Sequence, residues 1–456
     1  MPIYEKLMGN PFVDAGVCVL CQWMEKQPED ITVEGLKRAV NEIVPLMDNS
    51  ALKKNLHSIF PNSTLINASI KEDRRKRVIN DFNEYISTIE ELGRTGDCIG
   101  CGRREANHRL TKTDIPLTGS GGLVNFFPSF DSGAGYCSAC RLAIQFSPWS
   151  FVASGGRFLA ASSSSWKAVN LWAKICISDI KQKILRREDA GCYNPGFTNP
   201  RNGLFFMTGE MIKFGEISED ASIQVFCFTN FNQGPDLEVF YLPAPVFRFL
   251  RYANQGEYKS AWNSIVKSGY QKVNWDKVKS EEDYKNKHNK VYECLLNEQS
   301  IISFFVDLKN RKNRGDWSLL SLYLKEVRAM HQDRINAIKR VADAIAESIQ
   351  KTGRDRRLSQ LERAKNYREF QNVLLFIIKD RLKYDEPEPL FTLDDYLNYL
   401  FPSSEDGITP WNETRYLLLF RIYEQLHEWL KDKEIIEDEI IEDELSEDLN
   451  QEMEVN

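Results

Sequence analysis

Two short cysteine motifs, Cys98-Ile99-Gly100-Cys101-Gly102 and Cys137-Ser138-Ala139-Cys140, decide how the middle of this chain can fold. A CxxC turn lets two thiolates approach one metal ion, and a glycine after the second cysteine accepts the positive φ that such a turn requires. Two CxxC pairs complete a tetrahedral four-sulfur site for zinc. Thirty-five residues separate Cys101 from Cys137, which is more than in a compact zinc ribbon, so we expect the enclosed segment to be a functional loop.

The zinc ion at these cysteines is predicted to be structural, since four thiolates leave no open position for the water molecule of a catalytic zinc. A redox-active cysteine pair is the alternative interpretation. The third CxxC motif, Cys18-Val19-Leu20-Cys21, lies inside an apolar run, where free cysteine behaves as a small hydrophobic residue. We therefore expect one zinc ion per chain, bound by Cys98, Cys101, Cys137 and Cys140.

Composition places the chain among ordinary globular proteins. It has 456 residues, of which 42% are hydrophobic, 11% aromatic and 27% charged. This balance excludes a disordered chain, a collagen-like rod and a small disulfide scaffold. The apolar stretch near the start, residues 11–24, is too short to span a bilayer, and no basic region leads into an apolar core as in a signal peptide. We expect a cytoplasmic protein with reduced cysteines and no membrane partner.

The net charge of −7 hides an asymmetry between the body of the chain and its end. Residues 434–456 hold eleven Asp or Glu residues and no Lys or Arg, so residues 1–433 carry a net charge of +4. A mildly basic body with an acidic tail is compatible with nucleic-acid contact. We expect the tail itself to be disordered.

Hydrophobic periodicity predicts an α+β fold. Helices are expected over the first ninety residues, from Trp166 to about Arg187, and over most of residues 244–300. One helix is predicted to start at Ser69-Ile70-Lys71-Glu72, which is a capping box. Two runs of β-branched and aromatic residues, 223–228 and 237–241, predict a β-hairpin. The region 93–165 is rich in Gly, Ser and Phe and predicts loops and short strands held by something other than a large core.

The predicted domains follow these changes of pattern. We expect an N-terminal helical region at residues 1–187, with a zinc-binding module at about 93–150, and a middle region of hairpin and helices at 188–316. An all-helical C-terminal bundle is expected at 317–433, followed by the acidic tail at 434–456.

The loop between the two cysteine pairs has the composition of a nucleic-acid contact. Glycines let a backbone approach a groove or a phosphate, asparagine can read a base edge, and phenylalanine can wedge or stack. The candidate residues are Gly121, Gly122, Asn125 and Phe126. The alternative interpretation of this segment is a flexible turn.

Two basic clusters are further candidates for contact with phosphate. The first contains Lys71, Arg74, Arg75, Lys76 and Arg77, of which Lys71, Arg74 and Arg77 are the candidate contacts. The second contains Lys309, Arg311, Lys312 and Arg314. Lysine and arginine side chains bind the nucleic-acid backbone. The alternative is that both clusters are solvated helix faces.

Catalytic signatures are missing from the sequence. There is no HExxH, GxxxxGK[ST] or GxSxG motif. The segment Pro235-Asp236-Leu237-Glu238 is similar to the start of a nuclease centre, but no lysine follows at the required spacing. We expect that the protein performs no chemistry itself.

Several segments together resemble the large subunit of type I-B CRISPR Cascade of the Cst (Tneap) subtype. Besides the two CxxC pairs and the loop between them, the segments are Gly9-Asn10-Pro11-Phe12-Val13-Asp14-Ala15-Gly16, Leu242-Pro243-Ala244-Pro245-Val246-Phe247, Asp316-Trp317-Ser318-Leu319 and Leu418-Leu419-Phe420-Arg421-Ile422-Tyr423-Glu424.

The resemblance implies a function in prokaryotic antiviral defence. Such subunits lie near the 5′ handle of the crRNA, read the protospacer-adjacent motif (PAM) on double-stranded DNA, and recruit the effector, either a nuclease-helicase or transposition machinery. RNA–DNA pairing reads the remaining target sequence. The implied partners are crRNA, target DNA, the other Cascade subunits and the effector. A zinc-containing nucleic-acid-processing enzyme and a zinc-ribbon DNA-binding regulator are the alternatives.

The resemblance also concerns Met330. In some systems the small subunit of the complex is made from an internal start codon, and the helical C-terminal part of this chain is its expected equivalent. Met330 is the only methionine between residues 212 and 452, and a product that starts there has 127 residues. We expect Met330 to be such an internal start.

Overall fold

The computed structural model describes residues 2–91, 96–118, 133–215, 217, 221–231, 234–353, 355–384, 388–402 and 410–432. The chain divides into two compact units, Met1–Gln299 and Ser300–Asn456. The predicted α+β class is confirmed, because short sheets and the clustered cysteines lie in the N-terminal region and helices predominate in the C-terminal part. The second unit begins at Ser300, whereas the sequence predicts a boundary between residues 316 and 317.

The first unit combines helices with a four-stranded antiparallel sheet and a two-stranded sheet. Its described helices are α1 (Pro11–Met24), α2 (Val33–Met47), α3 (Ser50–Ile59), α4 (Arg74–Ser87), α5 (Ser138–Phe146), α6 (Trp166–Leu185), α7 (Pro200–Phe214), α8 (Ala244–Ala253), α9 (Tyr258–Ser268) and α10 (Lys290–Leu296). Its described strands are β1 (His108–Leu110), β2 (Ala134–Tyr136), β3 (Val152–Ser154), β4 (Arg157–Ser163), β5 (Ile223–Phe231) and β6 (Gly234–Leu242).

Helix α1 is buried over most of its length, with every residue from Phe12 to Cys21 buried. Asn10 caps the helix, because its Oδ1 accepts hydrogen bonds from the backbone N–H groups of Phe12 and Val13 at 3.0 and 3.2 Å. Pro11 occupies the first turn, where its missing N–H group is not needed. The third CxxC motif lies within this helix, and the buried Cys18 and Cys21 confirm its interpretation as core.

Gly16 brings α1 into backbone contact with α5. A Cβ atom at Gly16 would lie 1.8 Å from the carbonyl oxygen of Ala143. No side chain fits in that space, so the two helices can approach only because residue 16 is glycine.

The four-stranded sheet has the order β3-β4-β5-β6, and each neighbouring pair is antiparallel. The predicted hairpin is confirmed: β5 and β6 pair from Ile223 opposite Leu242 to Phe231 opposite Gly234. Phe228 on one face packs edge-on against Phe12 of α1, with ring centroids 5.3 Å apart. On the other face α7 packs against β3 and β4. Helices therefore cover both faces of the sheet.

Helix α4 begins later than the sequence predicts. The predicted capping serine, Ser69, instead donates its hydroxyl hydrogen to Oδ1 of Asn67 at 2.7 Å. Asp73 caps the helix, because its Oδ1 accepts from the N–H groups of Arg75 and Lys76 at 3.1 and 3.3 Å. The predicted capping box is therefore wrong. Four apolar residues at helical spacing along α4 and just beyond it are buried: Val78, Phe82, Ile86 and Ile89.

The second unit consists mainly of helices, with one short hairpin. Its described helices are α11 (Trp317–Glu326), α12 (Gln332–Thr352), α13 (Asp355–Arg363), α14 (Tyr367–Lys383), α15 (Leu393–Asp395), α16 (Trp411–Gln425) and α17 (His427–Asp432), and a π-helical turn at Tyr396–Leu400 follows α15. The hairpin pairs β7 (Val306–Asp307) with β8 (Lys312–Asn313).

Met330 lies between α11 and α12 and is buried. Its backbone N–H group donates to the carbonyl oxygen of Leu324 in α11 at 2.9 Å. A product that starts at Met330 lacks α11, whose Leu319 and Tyr323 side chains are buried in this unit. Use of the internal start stays a prediction, and the shorter product would have to cover the surface that α11 leaves.

The helices that the structure describes include none that combines the length and the apolar character needed to cross a bilayer.

The buried carboxyl group of Asp14 in α1 generates a prediction about pH. Its oxygens accept hydrogen bonds from the N–H groups of Met8 and Gly9 at 2.6 and 3.4 Å, but burial raises its pKa to about 6 from an ordinary value of 3.8. The folded state therefore binds this proton more tightly than the unfolded state, and protonation stabilises the fold as pH falls through 6. Relative to Asp14→Asn, the wild-type free energy of unfolding should rise by about 1.4 kcal/mol between pH 7.5 and pH 5.

Urea unfolding of both chains, followed by tryptophan fluorescence, measures this difference. The Asp14→Asn chain is the control, since it has the same metal ligands and lacks only the titrating group. If the free energies of unfolding of the two chains differ by the same amount at pH 7.5 and at pH 5, the result contradicts the raised pKa of Asp14.

Candidate metal centre

The four predicted cysteine ligands lie on two separate pieces of backbone. Cys98 and Cys101 belong to a loop between α4 and β1, and Cys137 and Cys140 lie where β2 runs into α5. Strands β1 and β2 pair antiparallel, with His108 opposite Tyr136. The short sheet therefore brings the second cysteine pair to the first.

The first CxxC turn is held by its own backbone. The N–H groups of Cys101 and Gly102 both donate to the carbonyl oxygen of Cys98, at 3.3 and 2.7 Å. Gly102 has a φ of +60°, as the motif predicts for the residue after the second cysteine. The N–H group of Ile99 donates to the carbonyl oxygen of Gly135 at 2.9 Å, which ties the turn to β2.

The second CxxC motif forms the start of helix α5. Cys137 is its N-cap residue, and Cys140 lies in its first turn. The backbone N–H group of Cys137 donates to Sγ of Cys98 at 3.1 Å. This hydrogen bond favours the thiolate form of Cys98, because a donor N–H group stabilises the negative charge on its sulfur.

The four sulfur atoms form one compact cluster, with all of them within 4.8 Å of one another. Bonds of about 2.3 Å from a metal ion to sulfur place the corners of a tetrahedral site about 3.8 Å apart. The sulfurs of Cys101 and Cys137 are 4.0 Å apart. The cysteines therefore have the spacing and chemistry to hold a tetrahedral metal ion. Among the described residues, this is the cluster of potential metal ligands that lies close enough together to bind one ion.

The four thiols share protons through hydrogen bonds, and this shows why a cation is needed for all of them to ionise. Hydrogen bonds from Cys137 and its neighbours lower the pKa of Cys101, whereas hydrogen bonding to Cys101 and the other thiols raises the pKa of Cys140 well above its ordinary value. Four thiolates at this spacing repel one another, so a cation must balance their charge if all four are to ionise.

A polar network that the sequence analysis missed lies beside the cluster. Ser138 Oγ is 2.9 Å from Nε2 of His108, and Nδ1 of His108 is 3.1 Å from the guanidinium of Arg141. A guanidinium only donates, so the His108 proton lies on Nε2 and is donated to Ser138. Burial lowers the pKa of His108 to about 4. In this arrangement His108 orients Ser138 and does not accept its proton.

The predicted loop contacts Gly121, Gly122, Asn125 and Phe126 lie outside the described residues. The loop leaves the described structure at Thr118 and returns at Gly133. Near its first end, the N–H group of Leu117 donates to Oδ1 of the buried Asn230 at 3.3 Å. The proposed role of this loop stays a prediction.

The first basic cluster lies around the start of α4. Arg77 forms an ion pair with Glu72, and Nε of Arg74 donates to the carbonyl oxygen of Ile70 at 3.4 Å. Lys71 is exposed. These three cations are close in the fold, and two of them already have partners within the chain.

The second basic cluster lies on the β7–β8 hairpin and divides into two kinds of residue. Arg311 forms ion pairs with Asp355 at 3.0 Å and with Glu362 at 2.9 Å. Arg314 forms an ion pair with Asp307 at 3.0 Å and donates to two backbone carbonyls. Lys309 and Lys312 are exposed instead. The two arginines hold the hairpin in place, and the two lysines carry the cluster's accessible charge.

The two carboxylates of the segment Pro235-Asp236-Leu237-Glu238 form ion pairs with arginines. Glu238 lies 3.1 Å from Arg157 and 3.2 Å from Arg201, and Arg157 also pairs with Asp236. Carboxylates held by guanidinium groups are poor ligands for a divalent cation.

Comparison with known proteins finds one family for the segment that carries the metal centre. Residues 92–152 match the family model described as CRISPR-associated protein (Cas_CXXC_CXXC). A search of curated proteins finds no significant match to the chain. The matched segment contains both CxxC pairs, whose sulfurs the fold brings together in one cluster. Residues 92–152 are therefore similar to a family of CRISPR-associated proteins.

Proposed function

We propose that this chain is the non-catalytic large subunit of a crRNA-guided type I-B CRISPR surveillance complex. In this role it contacts the 5′ handle of the crRNA, reads the PAM on double-stranded DNA and recruits the downstream effector. The observation that carries the proposal is the match of residues 92–152 to a CRISPR-associated family over the segment whose four cysteines cluster. The partners would be crRNA, target DNA, the remaining Cascade subunits and the effector.

The division of the chain supports this function. In the first unit, the segment between the two cysteine pairs contains Gly121, Gly122, Asn125 and Phe126, whose residue types suit contact with the PAM duplex. The second unit presents Lys309 and Lys312 on a hairpin that two arginines hold against the helices. A protein that reads a few base pairs and the backbone, and leaves the remaining sequence to RNA–DNA pairing, needs such surfaces and no active site.

Co-purification tests the proposed function. The tagged chain, expressed with the neighbouring CRISPR-associated genes and a CRISPR array, should co-purify with the other subunits and with RNA of one uniform length that begins with repeat sequence. An untagged chain in the same cells is the control. Recovery of the chain alone, or with RNA of mixed length, would reject the proposal in favour of a nucleic-acid-processing enzyme or a zinc-ribbon regulator.

We further propose that zinc is the ion at the cysteine cluster. Four thiolates in tetrahedral arrangement select zinc or iron, and zinc suits a closed site that only holds the fold together. Elemental analysis of purified protein should find one zinc ion per chain. The Cys137→Ser chain should lose the ion and unfold at lower urea concentration, because the ligand set is incomplete.

Cys18→Ser is the matched control for this measurement, since Cys18 is equally buried and belongs to a CxxC motif without a metal cluster. That chain should keep its zinc. Iron in place of zinc would show that the ion is wrongly assigned. A full zinc content in the Cys137→Ser chain would show that the ligands are wrongly assigned.

The two kinds of basic residue on the β7–β8 hairpin generate a prediction about salt. Replacing Lys309 and Lys312 together by glutamine should lower the salt dependence of duplex binding by about one unit of slope per lysine, because fewer counterions are released. Arg311→Gln should instead lower the free energy of unfolding, because Asp355 and Glu362 lose their partner.

Fluorescence anisotropy with a labelled DNA duplex over a range of KCl concentrations measures the slope. A double substitution of the exposed Lys37 and Lys54 to glutamine changes the net charge equally and is the control. If both double variants lower the slope alike, the hairpin has no special contact with the backbone of DNA.

A further inference from the structure

One exposed side of helix α14 in the second unit alternates cations with leucines. Leu375, Leu382 and Lys383 lie three or four residues from Lys379, and Arg368 lies seven residues before Leu375. Residues at these spacings share one side of a helix. All five are exposed, and we call them together the α14 outer face.

The two leucines of the α14 outer face have no cover from the second unit's own core. Leu375 is 54% exposed and Leu382 is 71% exposed. Helix α14 packs by its opposite side, where Phe370, Leu374 and Ile377 are buried. Leucines set between cations suit a partner that offers both apolar groups and acids, because a nucleic-acid backbone would pair with the cations and leave the leucines in water.

The two acids of α14 are held by other residues. The backbone N–H group of Lys365 donates to Oε2 of Glu369 at 2.7 Å, and Asp380 forms an ion pair with Arg357 at 2.8 Å. The ammonium of Lys379 lies 5.5 Å from the ring centroid of Phe376 on the same helix. The α14 outer face therefore presents positive charge at the surface.

The end of the chain has the complementary pattern in its sequence. The pentapeptide IIEDE occurs at residues 435–439 and again at 440–444, and Leu445 and Leu449 follow among further acids. Residues 433–456 lie outside the described residues. A segment of alternating acids and apolar residues carries too much charge to bury its apolar side chains by itself. It offers the two kinds of group that suit the α14 outer face.

The second unit brings the attachment point of this segment within reach of α14. Helices α14 and α16 begin side by side, since the ring centroids of Phe370 and Trp411 are 6.2 Å apart. From Trp411 the chain runs through α16 and α17 to Asp432, which is about 32 Å at helical rise. The residues from Asp432 to Leu449 can extend over about 56 Å. This exceeds the path back along α16 to Leu375, so the segment is long enough.

We propose that residues 434–449 bind the α14 outer face of their own chain. The isoleucine and leucine side chains of the segment contact Leu375 and Leu382, and its acids pair with the three cations. The same segment of a second copy has equal chemistry, but a tether inside one chain gives an effective concentration in the millimolar range, which favours the intrachain contact.

The docking itself does not depend on the proposed function. If the proposed function holds, the docked segment also affects it. Its acids then occupy Arg368, Lys379 and Lys383, so a nucleic acid reaches these cations only by displacing it.

Site-specific photo-crosslinking of the full chain tests the contact. With p-benzoylphenylalanine in place of Leu375, irradiation should join α14 to a peptide from residues 434–456, which mass spectrometry identifies. The same amino acid in place of Leu237 is the matched control. Leu237 is 46% exposed, but its neighbours in sequence are Asp236 and Glu238, so it should give no crosslink to that peptide.

A charge exchange separates a specific contact from a general effect of charge. Lys379→Glu together with Lys383→Glu should lower the crosslink yield at position 375 about tenfold, because two attractions become repulsions. Adding Glu437→Lys, Asp438→Lys and Glu439→Lys to that chain should restore the yield. Lys309→Glu with Lys312→Glu changes the net charge equally on the β7–β8 hairpin and should leave the yield unchanged.

The tail substitutions alone keep the test decisive if the α14 variant does not fold. Glu437→Lys, Asp438→Lys and Glu439→Lys leave α14 untouched and should also lower the yield. The inference is overturned by crosslinks between two chains, by equal crosslinking from positions 375 and 237, or by equal losses in the α14 and hairpin variants.

These results are independent of the test of the proposed function. A chain that co-purifies with uniform crRNA and gives no crosslink to residues 434–456 keeps the proposed function and loses the docked segment. A chain that gives the crosslink and its charge exchange, but co-purifies with no RNA, keeps the docked segment and loses the proposed function.

Discussion

The contact between α1 and α5 is the constraint on which the first unit depends. Gly16 allows the backbones to touch at Ala143, and α1 is buried on every side from Phe12 to Cys21. A helix buried all round must be covered by several elements at once, and α5, α6 and the sheet supply that cover. Because α5 carries Cys137 and Cys140 at its start, the same contact also fixes half of the metal centre.

The metal centre and the hydrophobic core are therefore one structure. We expected the region 93–165 to be held by something other than a large core. Cys98, Cys137 and Cys140 instead belong to the same buried cluster as α1, together with Tyr136 and Leu142. If the cluster holds a metal ion, its loss would leave unpaired thiols there, so the cost would spread into packing around α5. An ion bound there would join the two described backbone pieces that carry the cysteine pairs.

Local patterns identified much of the fold, and contacts between distant residues account for what they missed. Four cysteines at CxxC spacing, the β5–β6 hairpin and the buried stripe of α4 are visible in short windows of sequence. The start of α4 was misplaced because Ser69 and Asp73 are both good caps, and the bond from Ser69 to Asn67 decides between them. The pairing of Arg311 with Glu362, fifty-one residues later, leaves no local signal.

Arginine and lysine have different roles in the second unit, and this limits what a charge count can say about binding. Residues 330–383 hold thirteen Lys or Arg against seven acids. Arg357 pairs with Asp380 at 2.8 Å, and Arg421 pairs with Asp343 at 2.6 Å. A planar guanidinium can serve a carboxylate and pack at the same time, whereas the ammonium of lysine is strongly hydrated and stays at the surface. An arginine paired in this way adds little to the potential that attracts phosphate. Under the proposed function, the contact of this unit with nucleic acid is therefore expected at its exposed lysines rather than where arginines are most concentrated in the sequence.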